Sequence, residues 1–127
     1  MTYNNRNNKK VKLPDGTVYD SQREFKRHRE LLLMERAGLI SNLQRQVKFV
    51  LVPTQYETFE RFGKYGRRLK DGRRCVEKEC AYYADFVYQF ADTGKKVVED
   101  VKGYREDDYI IKRKLMLYIH GIKILET

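Results

Sequence analysis

The sequence predicts a single α/β (α+β) domain whose elements run α-β-β-β-α-β, a mixed sheet flanked by helices, with a basic hairpin arm set into it. Three observations lead there. Two stretches carry apolar residues at helical spacing between recognisable caps, three are rich in the β-branched and aromatic residues of strands, and a short turn joins the last two of those strands. With 127 residues there is material for one core and not for two.

Residues 1–10 are polar and read as a frayed start. Pro14-Asp15-Gly16-Thr17 makes a turn between two short extended pieces. Ser21 and Glu24 match a capping box, so a helix begins there and runs to about Arg36, with Gly38 where a left-handed residue ends helices. Phe25 and Leu32 mark its apolar stripe, with Leu33 and Ala37 beside it. Glu24, His28, Leu31 and Glu35 follow a neighbouring line, which puts Glu24 at the edge of the buried face. Gln46 to Val52 is the first strand, ended by Pro53.

Residues 55–80 form the arm, where Gly63, Gly66 and Gly72 punctuate Lys64, Arg67, Arg68, Lys70, Arg73 and Arg74. Tyr56, Phe59, Phe62 and Tyr65 are interleaved with them, the composition of a grip on a nucleic-acid backbone or of a solvated loop. Ala81 to Phe90 and Lys96 to Lys102 are the second and third strands, joined through Asp92-Thr93-Gly94-Lys95. Asp107 or Asp108 caps a second helix, about Tyr109 to His120, with Ile111, Leu115 and Tyr118 or Ile119 inward and Gly121 as its stop. Ile122 to Leu125 is a last strand, and strand, helix, strand in that order requires a right-handed crossover and parallel pairing.

The formal net charge is +9, and its placement matters more than its size. Residues 1–74 hold 18 Lys/Arg against 8 Asp/Glu, whereas residues 75–127 hold 9 against 10. A polyanion is the natural partner of so basic a first half. No apolar run is long enough to cross a bilayer, and the basic residues do not alternate with an apolar helix face, so no membrane partner is expected. The absence of a charged-then-apolar leader fits a cytoplasmic protein. Cys75 and Cys80 lack a second pair, and His28 and His120 are distant, which favours reduced thiols over a zinc site.

Charged residues stand inside the predicted strands, where burial is costly without compensation. In Val98-Glu99-Asp100-Val101-Lys102, alternation puts Asp100 and Lys102 on one face and Glu99 on the other. Across the hairpin, one register sets Asp85 opposite Asp100 and another sets it opposite Lys102. Both bring the three residues to one face. Two acids and an amine so gathered either form a buried salt bridge or hold a divalent cation; carboxylate oxygens suit Mg²⁺ or Mn²⁺, which polarise a phosphate and acidify a water. Lys102 then either helps deprotonate that water or offsets charge on the phosphoryl oxygens. Gln46 could extend into the site, although a surface amide is the favoured expectation; Lys112 and Lys114 could meet a nucleic-acid backbone; His120 is expected to cap its helix.

Ala84-Asp85 followed by Asp100-Val101-Lys102 resembles the bipartite signature of the PD-(D/E)xK nuclease superfamily, with Ala84 in place of the nominal proline and Asp100 as the shorter acid. The superfamily's restriction-endonuclease-like core has the same α-β-β-β-α-β order. More closely, Asp20-Ser21 through Glu24, Glu35-Arg36-Ala37-Gly38-Leu39-Ile40, Tyr83-Ala84-Asp85-Phe86, Val98 to Gly103 and Lys112-Arg113-Lys114-Leu115 look like a family of small phage and prophage proteins of uncharacterised function, over roughly residues 13–125. The branch suggested includes junction-resolving phage endonucleases and transposon-end nucleases, and it implies Glu24 as a further acid from the first helix, with Glu30 as second choice.

The resemblance implies a Mg²⁺-dependent DNA endonuclease acting on branched or recombination-related DNA, in the bacterial host's cytoplasm if phage-encoded, with no organic cofactor. Glu24, Asp85 and Asp100 would hold the metal and Lys102 would serve hydrolysis. A homodimer is implied by the same likeness. Two competitors remain: a non-catalytic nucleic-acid-binding protein on the same scaffold, and a structural protein whose acid–lysine cluster only stabilises the sheet.

Overall fold

The computed structural model describes residues 9–127, so most of the expected frayed start lies outside the described residues. Strands β1 (Val11–Lys12) and β2 (Val18–Tyr19) pair antiparallel around the Pro14–Thr17 turn, which Asp15 closes by accepting the Thr17 N–H at 2.9 Å. Helix α1 follows over Gln22–Arg36; Ser21 caps it by accepting the Glu24 N–H at 3.1 Å, and Gly38 leaves it with φ +78°.

The side of α1 that meets the sheet differs from the expected stripe. Leu31 and Glu24 are buried, with Phe25, His28 and Met34 partly so, while Leu32 and Leu33 are 43% and 63% exposed. The helix docks along the Glu24–His28–Leu31–Glu35 line, and its neighbours on the wheel face outward because each residue turns about 100° from the last.

Strand β3 covers Ile40–Val52, six residues longer at its start than the expected Gln46–Val52. Polar Ser41, Asn42 and Gln44, and left-handed backbone at Asn42 (φ +57°), interrupt the alternation that would have marked it. Next come β4 (Gln55–Phe62) and β5 (Arg68–Glu77), then β6 (Cys80–Phe90) and β7 (Lys96–Asp100), helix α2 (Asp107–His120) and β8 (Leu125–Glu126). The main sheet runs β3-β6-β7-β8, antiparallel except for the parallel β7–β8 edge, so the core order is the expected α-β-β-β-α-β with a hairpin inserted after its first strand.

One core lies between the sheet and α1, built on Leu31, Ile40, Phe86 and Tyr88. The other lies between the sheet and α2, built on Tyr82, Ala84, Val98, Tyr109 and Met116. Tyr109 and Met116, two turns apart, are the buried line of α2, whereas Ile111, Tyr118 and Ile119 are exposed. Ile111 is rotated about 200° from Tyr109, which is why it points to solvent, whereas Leu115 of the expected inward set is partly buried and packs against this core. Glu106 is the N-cap and makes no side-chain capping bond; Asp107 and Asp108 occupy the first turn instead. His120 does not simply cap α2: its Nε2 sits 2.8 Å from the Val50 carbonyl oxygen and ties the helix end to β3.

The β4–β5 hairpin is a sheet of its own, yet it continues the β3–β6 ribbon in register. Val52 pairs with Cys80 and Gln55 with Glu77, and between them the Glu79 N–H bonds the Thr54 hydroxyl at 3.2 Å. Among the described residues no helix is long and apolar enough to cross a membrane.

Candidate functional site

Of the two registers open to the β6–β7 hairpin, the fold adopts the one that sets Asp85 towards Asp100, with Phe86 opposite Glu99 and Val87 opposite Val98. The ladder stops there, and the strands part at Asp85, whose Oδ2 accepts the Val101 N–H at 2.8 Å. On the other side, pairing passes from Arg45–Phe86 to Val47–Ala84 and omits Gln46–Asp85, with Gln46 in left-handed backbone at φ +50°. Ala84 belongs to the core under α2 and Phe86 to the core under α1, so the pleat slips at Asp85. Bulged strands bend and re-aim side chains in this way.

Asp100 is 2% exposed. The Tyr82 hydroxyl donates to its Oδ2, and the Lys102 ammonium stands 3.2 Å from its Oδ1 while lying 4.4 Å from the centre of the Tyr109 ring. That Oδ1 is buried and accepts no hydrogen bond of good geometry. Glu24 reaches the same pocket from α1, where its Oε1 accepts from Arg45 at 3.3 Å and from the Gln46 amide at 3.2 Å. The same amide nitrogen donates to Asp85 Oδ1 at 3.3 Å and thereby stands between two carboxylates.

These acids enclose a pocket of about 380 Å³ whose walls include Glu24, Gln46, Asp85, Asp100, Lys102 and Lys112. Burial, then the Asp100 carboxylate and Glu24, push the Asp85 carboxyl up to about 7 against the pull of the Val101 N–H. Burial also raises Glu24, opposed by Arg45. Tyr82 is raised by burial and by Asp100, which keeps it a hydroxyl donor. Asp85, Asp100 and Lys102 are therefore brought together, and Glu24 joins through Gln46. Among the described residues no group of three or more His, Cys, Asp or Glu stands at metal-holding spacing.

Glu99, one residue from Asp100, is fully buried on the opposite face. It accepts from Arg27 at 2.8 and 3.0 Å, from the Tyr88 hydroxyl at 2.8 Å and from Thr127 at 3.2 Å. Glu30 remains outside the pocket, paired with Arg27 at 3.0 Å. Lys64, Arg67, Arg68, Lys70, Arg73 and Arg74 are exposed on the hairpin; Lys112 lines the pocket, and Lys114 is exposed on α2 without lining it.

Gln46 is exposed, as expected of a surface amide, and it also reaches into the site, where its amide contacts two of the acids. Its signal in the sequence was a polar residue within a strand predicted to be half buried. Tyr82 was missed as the donor to Asp100; a buried carboxylate needs donors, and Tyr82 shares the face of Ala84 beneath α2.

Searches among curated proteins and among solved structures found no match to this chain. A family model described as "Protein of unknown function (DUF1064)" matches residues 3–123, nearly the whole sequence, and the chain belongs to that family.

Proposed function

We propose that this protein is a metal-dependent endonuclease that hydrolyses phosphodiester bonds in DNA, with Mg²⁺, or Mn²⁺ in its place, held by Asp85 and Asp100. The observation that carries the reading is the meeting of Asp85, Asp100 and Lys102 in one pocket that holds more acid than counter-charge. Asp100 Oδ1, buried without a hydrogen bond, is the type of oxygen a hard cation takes. Glu24 is the third acid at hand. When bound, the metal's chemistry is to polarise the phosphoryl group and to acidify the attacking water.

The chain's own residues supply the rest. Tyr82 holds one oxygen of Asp100, and the Val101 N–H fixes one oxygen of Asp85, so each carboxylate keeps its other oxygen turned to the pocket or its neighbours. Lys102, pressed as an ammonium between Asp100 and the Tyr109 ring, is a donor for charge developing on the phosphoryl oxygens. Lys112 lines the same pocket from α2, placed to meet the substrate backbone. A preference for branched or recombination-related DNA, action as a homodimer and a cytoplasmic site of action complete the proposal, supported by the resemblance to PD-(D/E)xK junction-resolving nucleases.

The test is incubation with supercoiled, linear and four-way-junction DNA, with Mg²⁺, Mn²⁺ or a chelator. Metal-dependent cutting that falls about 100-fold or more in Asp85→Ala and Lys102→Ala is the expected result; undiminished cutting by either variant overturns it. The Gln46 amide standing between Glu24 and Asp85 favours one second reading, a nucleic-acid-binding protein that keeps the scaffold without cleaving. It predicts salt-sensitive DNA binding and no metal-dependent cutting.

A further inference from the structure

Two aromatic rings of the β4–β5 ribbon, Tyr56 and Phe59, are each stacked on one face by an arginine of the opposite strand. Arg73 stacks on Tyr56 with its guanidinium carbon 3.6 Å from the ring centre, and Arg74 stacks on Phe59 at 4.3 Å. Phe59 also lies flat across Gly72, its cross-strand partner, so closely that a Cβ at Gly72 would meet the ring at 2.3 Å. The ring faces so occupied are closed to the bases of a single strand. They hold the guanidiniums in place instead, which lowers the entropy lost when an arginine binds phosphate.

The charges fall into two groups. Arg74 is tied to Glu57 at 3.0 Å, and Arg68 to Asp71 at 2.8 Å. Arg61, Lys64, Arg67, Lys70 and Arg73 make no ion pair among the described residues and are exposed. A stiff two-stranded antiparallel ribbon is a shape that the major groove of duplex DNA admits. Its position suits the pocket: it extends the β3–β6 pair that carries Gln46 and Asp85, and Asp85 lies five residues from Cys80 at the ribbon's base, about 17 Å along a strand. Three more residues lead to Glu77, and the ribbon adds about 25 Å beyond them, which sets Arg73 about 40 Å from Asp85 along the strands.

We infer that β4–β5 is a duplex-binding arm, in which Tyr56 fixes Arg73 as a phosphate contact and the free basic residues follow the DNA between about one and two helical turns from the pocket. The inference rests on the reading that the substrate is DNA, but not on cleavage.

The experiment measures binding of the full-length protein, in chelator, to a labelled duplex of about 30 bp and to one of its strands. Duplex is expected to bind at least about tenfold more tightly than the single strand. Arg73→Ala lowers the slope of log affinity against log salt by about 1. Tyr56→Leu, which alters no charge, weakens duplex binding severalfold; Tyr56→Phe restores it; Arg36→Ala, at the end of α1, has no effect. Circular dichroism and melting confirm that the variants fold. Equal binding of single strand, or wild-type binding by Tyr56→Leu, overturns the inference. Under a stacking mode the damaging change would be Tyr65→Ala, at the fully exposed ring of the tip. Duplex binding that depends on Tyr56 without any cleavage in Mg²⁺ sinks the nuclease and leaves the arm; cleavage with arm variants unchanged sinks the arm alone.

Discussion

Replacing Asp85 by Asn should make the metal-free protein more stable at neutral pH while abolishing cleavage. Burial and Asp100 raise the Asp85 carboxyl from its ordinary 3.8 to about 7, so the folded state binds this proton more tightly than the unfolded chain does. The stability that the proton contributes is fully present below about pH 4 and is lost as pH rises through about 7. The separation of about 3 pH units corresponds to about 4 kcal/mol as an upper bound. Asp85 is partly exposed, and solvent screening reduces the figure to about 1–3 kcal/mol. Asn keeps an oxygen for the Val101 N–H and carries no charge. Urea denaturation in chelator from pH 4.5 to 8 should therefore show wild-type stability falling across the range and Asp85→Asn holding nearly level, so that the variant is the more stable by pH 8. Mn²⁺ at 100 times its dissociation constant should add about 2.7 kcal/mol to wild type and little to the variant. Parallel pH profiles for the two proteins would refute the reasoning.

Arg27→Ala strands the fully buried Glu99 without its guanidinium, and because the Arg27 side chain is 24% exposed the cost should be about 2–3 kcal/mol by denaturant melting, with Mn²⁺ binding by calorimetry unchanged. Gln46→Glu sets a further acid against Glu24 and Asp85 and should lower metal-free stability by about 1–2 kcal/mol, with melting temperature recovering on Mn²⁺ addition. Lys102→Met keeps an apolar stem on Tyr109 but removes the charge, so cleavage should fall about 100-fold in single-turnover assays while the fold persists by circular dichroism. Met116→Ala opens a cavity at a residue with no exposure and should cost about 2–5 kcal/mol by denaturant melting, without altering the salt slope of DNA binding.

The parts of the fold visible in the sequence were those with a strong period or an unambiguous cap. Ser21 with Glu24, Pro53, the Asp92–Lys95 turn and Gly121 each marked a boundary that the backbone respects within a few residues. The acid–lysine spacing was legible because alternation along β7 survives to Asp100, so Glu99 could be separated from its neighbour by parity alone. What stayed hidden depends on departures from period. The left-handed residues Asn42 and Gln46 concealed the first half of β3, and the slipped pleat at Asp85, where Gln46 and Asp85 drop out of the ladder, has no signal in the alternation of the sequence. Both helices carry more apolar residues than they bury, so a stripe of leucine in α1 and of isoleucine and tyrosine in α2 misdirected the choice of inward face. Which wheel position docks was decided by the sheet.

Arg27 does more than neutralise Glu99. Two neighbouring carboxylates that must face opposite ways are interchangeable under a shift of one residue, and such a shift would present Glu99 to the pocket and leave Asp100 under α1. By gripping Glu99 with two nitrogens from a rigid helix, the guanidinium makes that exchange costly. The hairpin loop before β7 can then change length without altering which acid arrives, and the constraint on the pocket is kept on the far side of the sheet, out of reach of anything that binds there.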